Sequence, residues 1–141
     1  MRLASMAPAV FLALFSAACA SGPRMPPPFH ATVGASEGGL ASYYADSLAG
    51  RPTASGAPYD PHALSAAHRS IPLGSLIRVQ RDDGRSVEVE VNDRGPFGFE
   101  DRIVDLSRAA AERLGIVRAG LGRVRLEVLW VAPPRRGRRH P

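Results

Sequence analysis

The amino-acid sequence predicts a small, mainly β domain that closes as a compact barrel with one short helix. Three observations carry this. Apolar residues alternate with polar ones over several short runs, as half-buried strands require. Turn residues recur every eight to twelve positions. The 141 residues include 13 prolines and 14 glycines, a composition that favours turns over long helices, while 45% hydrophobic residues suffice for a core. The length corresponds to a single domain.

The strands can be placed in order. Residues 40–44 and 63–68 have strand composition without strong alternation, and Pro72 and Gly74 mark a turn after the second. Residues 76–81 form a strand joined through an Asp83-Gly84 turn to residues 85–91, where Val87, Val89 and Val91 share one face and Ser86, Glu88 and Glu90 the other. In residues 122–130 the inward set is Val124, Leu126, Val128 and Trp130, opposite Arg123, Arg125 and Glu127. The helix begins after Ser107, whose hydroxyl can accept from free backbone N–H groups. Ala109, Ala110 and Ala111 propagate it, Gly115 ends it, and Leu106, Ala110 and Leu114 share its inner face.

Both ends of the chain differ in composition from this middle. Residues 1–20 carry one charge, Arg2, and an apolar run at residues 7–18 (APAVFLALFSAA). That run is too short to span a bilayer and fits the core of a signal peptide. Ser16-Ala17-Ala18-Cys19 resembles a lipobox, so Cys19 is expected to carry a lipid that anchors an exported chain in the cell envelope or periplasm; cleavage after Ala20 is the alternative. Residues 21–38 read as a flexible Pro/Gly-rich linker and residues 132–141 as a disordered basic tail, leaving residues 39–131 as the domain.

The charge of +5 comes entirely from arginine, and it too is concentrated at the ends. Between residues 37 and 131 there are 12 Arg and 13 acidic residues, a net of −1, so a nucleic-acid face built into the fold is not expected. One cysteine excludes an internal disulfide. His30, His62, His68 and His140 show no ligand spacing, and no metal or cofactor is expected.

Polar segments between the strands are the candidates for chemistry: residues 51–60, 66–68, 92–97 and 105–107. Each borders a strand, so the four are expected to converge at one end of the barrel. They also carry a resemblance. G-x-A-S-x-Y near Gly39 to Tyr44, T-A-x-G-x-x-Y-D from Thr53 to Asp60, L-x-A-A-H from Leu64 to His68, V-N-D-R-G-P-F from Val91 to Phe97 and R-I-x-D-L-S from Arg102 to Ser107 together resemble the rare lipoprotein A (RlpA) family over residues 39–129.

The resemblance implies a six-stranded double-psi β-barrel with one or two short helices, related to expansins. It also implies endolytic lytic transglycosylation of peptidoglycan glycan strands by a monomer without a cofactor. That reaction needs one carboxyl group acting as acid and then base, because the muramic C6 hydroxyl is the nucleophile; a hydrolase needs two carboxyls. Asp60, Asp93 and Asp105 are the candidates, with His68 as their orienting partner. Asp60, shielded by Pro58 and Tyr59, is expected to be the acid. Asp93, beside Arg94, is expected to stabilise positive charge on the sugar. Asp105 stands where expansin-like barrels carry an important aspartate. Tyr44, Thr53, Ser55, Tyr59, Asn92 and Arg94 are expected to contact substrate, and Tyr43, Tyr44 and Tyr59 offer faces for stacking. The sequence departs from the family at Ala57, where active relatives carry glutamate. The alternative is therefore a non-catalytic, expansin-like wall-binding module.

Overall fold

The computed structural model of the chain describes residues 28–135. Six strands form a closed barrel: β1 (Ser36–Tyr43), β2 (Ser65–Ala67), β3 (Leu76–Arg81), β4 (Ser86–Asp93), β5 (Arg102–Leu106) and β6 (Gly122–Trp130), in the spatial order β1-β5-β2-β4-β3-β6. The neighbours β1 and β5 run parallel, as do β2 and β4, and the other pairs are antiparallel. This is the double-psi arrangement. Closure gives every strand a hydrogen-bonded neighbour on both sides.

Alternation fills the interior. Ile77 and Val79 of β3, Val87, Val89 and Val91 of β4, and Val124, Leu126 and Val128 of β6 are all buried. Helix α1 (Arg108–Leu114) starts at Ser107, whose Oγ accepts from Ala110 N at 3.3 Å, and stops at Gly115, in the left-handed region at φ 76°. It buries Ala110, Ala111 and Leu114. A 3-10 turn covers Asp46–Leu48.

Each parallel pair contains a bulge. Leu40 pairs with Arg102 but Ala41 with Val104, so Ile103 is an extra residue on β5. Ala66 pairs with Val91 but Ala67 with Asp93, so Asn92 is an extra residue on β4. A bulge shifts the inside–outside alternation of everything after it. Without the bulge at Asn92, the period-2 rule would send Asp93 to the same face as Val91, into the core. Without the bulge at Ile103, Asp105 would likewise face the opposite way.

Four expectations need correction. β5 was not expected as a strand, because its bulge buries both Ile103 and Val104 and destroys the alternation. The domain begins earlier than residue 39: β1 starts at Ser36, and Phe29, Ala31 and Ala35 pack on the core. Gly34 N donates to Val128 O at 2.8 Å, so this part of the expected linker belongs to the domain. The domain also runs on to Ala132, whose backbone N–H donates to Ser75 Oγ at 2.9 Å. Trp130 does not continue the inward set but is 51% exposed, because β6 is irregular there: Ile77 pairs with Val128 and Leu76 with Trp130. Residues 1–27, including Cys19 and the signal peptide, and residues 136–141 lie outside the described residues.

Candidate active site

The two bulges aim Asp93 and Asp105 at one end of the barrel. The short strand β2 lies between them, Ala67 pairing with Asp93 on one side and with Asp105 on the other. A cleft of about 140 Å³ opens there, lined by Tyr44, Leu48, Arg51, Pro52, Thr53, Tyr59 and Asp93. The four polar segments do gather at this end. Ala54 N donates to Asp93 Oδ1 and Ser55 N to Asn92 O, while Arg94 Nη1 donates to the His68 and Ile71 carbonyls.

The carboxyl groups sit in different surroundings. Asp93 accepts three hydrogen bonds: from the Tyr44 hydroxyl at 2.7 Å, and from Ala54 N and Arg94 N at 2.8 Å each. Burial pushes the Tyr44 hydroxyl well above the usual phenol range, and its bond to Asp93 adds to the shift, so Tyr44 keeps its proton and donates it. Asp105 Oδ1 accepts a hydrogen bond from Ser42 Oγ, its cross-strand partner on β1. Burial raises the Asp105 carboxyl above the ordinary carboxylate range. The Ser42 bond and the cations Arg102 and Arg69 oppose that rise, and the Asp93 charge adds slightly to it. Asp105 is therefore the carboxyl of this end that is driven toward its protonated form.

The remaining sequence candidates divide clearly. Asp60 is exposed, and its Oδ1 accepts from His62 N at 2.8 Å, an Asx turn. Pro58 is exposed as well, so the shielding that would make Asp60 an acid is missing. His68 is buried, and although its backbone N–H donates to Asp93 O at 3.2 Å, its imidazole bonds none of the three aspartates. Its Nδ1 accepts from Ser70 N and Ile71 N, which leaves the Nε2 proton to bond Glu37 Oε2 at 3.1 Å. Arg94 lies beside Asp93 in sequence, but its guanidinium is turned to loop carbonyls and forms no ion pair with it.

Thr53 and Ser55 brace their own loop: Thr53 Oγ1 donates to Ala57 O at 2.7 Å and lies 2.8 Å from Ser55 Oγ. Tyr59 is only 4% exposed, which removes it as a stacking face; its hydroxyl accepts from Arg108 N, and its ring packs edge-on against Tyr44. Tyr43 is likewise engaged, its hydroxyl donating to Val117 O. Asn92 Oδ1 is buried without a hydrogen-bond partner among the described residues. Ala57 is exposed on the 52–58 loop, with no acidic side chain in its place.

Ser42, Arg51, Arg69 and Leu48 were missed by sequence reasoning. Ser42 meets Asp105 through a parallel pairing between residues 63 positions apart, for which no local pattern exists. Arg51 lay within a segment already singled out, and its place in the cleft was open to inference.

The lytic transglycolase family pattern matches residues 36–126, which contain the whole barrel up to the middle of β6. The chain belongs to this family. Among its relatives, the probable endolytic peptidoglycan transglycosylase RlpA of Nostoc is 51% identical over 94 residues, covering 64% of this chain and 25% of that protein. The endolytic peptidoglycan transglycosylase RlpA of Vibrio cholerae is 44% identical over 106 residues, covering 74% of this chain and 40% of that protein. The chain thus spans well under half the length of these members of the lytic transglycolase family. In structure it is similar to the Streptomyces papain inhibitor, with TM-score 0.55 and 24% identity over 69% of this chain and 96% of the other. It is also similar to a mutant Clavibacter michiganensis expansin in complex with cellohexaose, with TM-score 0.53 and 19% identity over 70% of this chain and 53% of the other. At these identities the structural likeness establishes the fold alone.

Proposed function

We propose that this chain is an endolytic peptidoglycan lytic transglycosylase, with Asp105 as its acid–base group and Asp93 as the anion that steadies the sugar. The observation that carries the reading is the contrast between the two carboxyls. Burial drives Asp105 toward its protonated form beside a hydroxyl, while Asp93 acts only as an acceptor, held by three donors. Asp105 gives its proton to the glycosidic oxygen as the C1–O bond breaks. The positive charge that grows on the ring is opposed by Asp93. The ionised Asp105 then takes the proton of the muramic C6 hydroxyl as its oxygen closes on C1, giving a 1,6-anhydro end and a regenerated acid. Water is not consumed, so no second proton-transferring carboxyl is needed.

The names of the relatives support peptidoglycan as substrate. An exported chain, lipid-anchored at Cys19 by the segment before the domain and acting as a monomer in the cell envelope, agrees with this reading.

Ala57 favours a second reading, a wall-binding module that uses the same cleft without cleaving. One experiment separates the two. Purified protein is incubated with glycan strands stripped of stem peptides, and the products are analysed by mass spectrometry. Anhydromuramic ends that fall by roughly a hundredfold or more in Asp105→Asn support the enzyme. Co-sedimentation with sacculi and no anhydro product supports the binder.

A further inference from the structure

We propose that Phe97 is a sugar-stacking platform beside Asp105, on which a glycan strand leaving the Tyr44–Asp93 cleft lays one pyranose face. This rests on the reading of the cleft as a glycan site. Phe97 is 68% exposed and its neighbour Phe99 48% exposed, side chains whose burial would ordinarily stabilise a fold. The loop that carries them is nevertheless tied down. Arg69 Nε donates to Pro96 O at 2.8 Å, and its Nη2 donates to the carbonyls of Phe99 and Arg102. The Arg102 guanidinium lies 3.9 Å from the centre of the Phe99 ring. Phe97 is thus displayed from a braced backbone, as a preorganised contact would be.

Its position points to what it holds. Gly95 lies at φ 132°, and a Cβ there would stand 3.8 Å from Asp105 Oδ2 and 3.9 Å from the Phe97 ring. The space that glycine leaves free is bordered by both the Asp105 carboxyl and the Phe97 ring. A pyranose in a β-1,4-linked strand has equatorial substituents and axial C–H bonds on both faces, so it can lie flat on a ring while its linking oxygen stays in the ring plane. Phe97 carries no hydrogen-bonding group and reads that flat face, not the substituents. The ligand class is therefore an equatorially linked glycan.

The test measures binding of peptide-free glycan strands to the full chain by calorimetry, for the parent, Phe97→Ala, Phe97→Leu and Phe97→Trp. Phe97→Ala and Phe97→Leu are expected to weaken binding roughly three- to tenfold, with Phe97→Trp at least equal to the parent. Melting temperatures should be unchanged, because the side chain is exposed. Parent-like affinity in Phe97→Ala, while the parent binds strands, overturns the platform and leaves the glycan reading intact. Equal affinity in Phe97→Leu overturns the stacking face. A parent that binds no strands sinks the glycan reading and this inference with it. The same variants are tested for adsorption to phosphatidylglycerol–phosphatidylcholine vesicles, and a loss confined to vesicles would make the loop a membrane contact instead.

Discussion

Asp105 reverses the usual dependence of carboxylates on pH. A paired surface aspartate stabilises a fold above its unfolded pKa, whereas Asp105 is raised on folding, chiefly by burial. Its contribution to stability is therefore full below the unfolded value and is lost as pH rises through the folded value. Asp105→Asn keeps an oxygen for Ser42 to donate to and removes the buried charge, so its melting temperature at pH 7 should exceed that of the parent. The difference should shrink as the pH is lowered past the folded value, as differential scanning calorimetry across pH would show. In the proposed mechanism catalysis has the same sign: with Asp105 as the acid, the rate is expected to fall as pH rises through its pKa. The Ser42 bond lowers that pKa. Ser42→Ala should therefore move the alkaline limb of the pH–rate profile to higher pH, a shift that a merely structural Ser42 would not produce.

Helix α1 depends on a cap with two duties. Ser107 Oγ accepts from Ala110 N inside the helix and from Ser65 N at the start of β2, both at 3.3 Å, and the residue is fully buried. Ser107→Ala leaves both donors without that acceptor and is expected to cost about 1–2 kcal/mol in urea unfolding. Because Ser107 directly follows β5, the loss should also loosen Asp105, and hydrogen exchange at Leu106 and Ser107 should speed up more than exchange in β3. This helix was fully legible in the sequence, because its cap, its alanine run and its Gly115 stop are all local. The bulged strands were not. β5 shows the pattern Ile103-Val104 buried together, which imitates a loop-flanked apolar pair, and β2 is three residues long with no alternation to read. The site followed the same division. Convergence of the polar segments could be inferred from their positions at strand ends. Which aspartate has its carboxyl raised by burial could not, because the half-buried Asp105 is covered through pairing with Ser42 and Ala67, both distant in sequence. Asp60 looked shielded by its neighbours along the chain, but its loop turns the carboxyl to solvent.

The barrel binds its ends as tightly as its middle, and this governs how it unfolds. β6 is paired along its length with β1 and β3, so the last strand in sequence closes the sheet onto the first. No strand can leave without opening the ring, and the core it would expose includes Leu126 and Val128 at 0% exposure. Unfolding should then be a single cooperative event. The one tryptophan tests this, because Trp130 lies at the end of β6 where the register slips and where fraying would begin. Urea transitions followed by Trp130 fluorescence and by far-ultraviolet circular dichroism should coincide, with equal midpoints and slopes. A fluorescence change at lower urea would mean that the β6 end opens before the ring. Leu126→Ala, which empties the centre of the same strand, should cost about 2–5 kcal/mol and move both signals together. The parallel pairs β1–β5 and β2–β4 join residues far apart in the chain, so refolding should be slow for a domain of this size. Because the barrel positions Asp93 and Asp105 through those same pairs, glycan binding should return in stopped-flow refolding no earlier than the circular dichroism of the closed sheet.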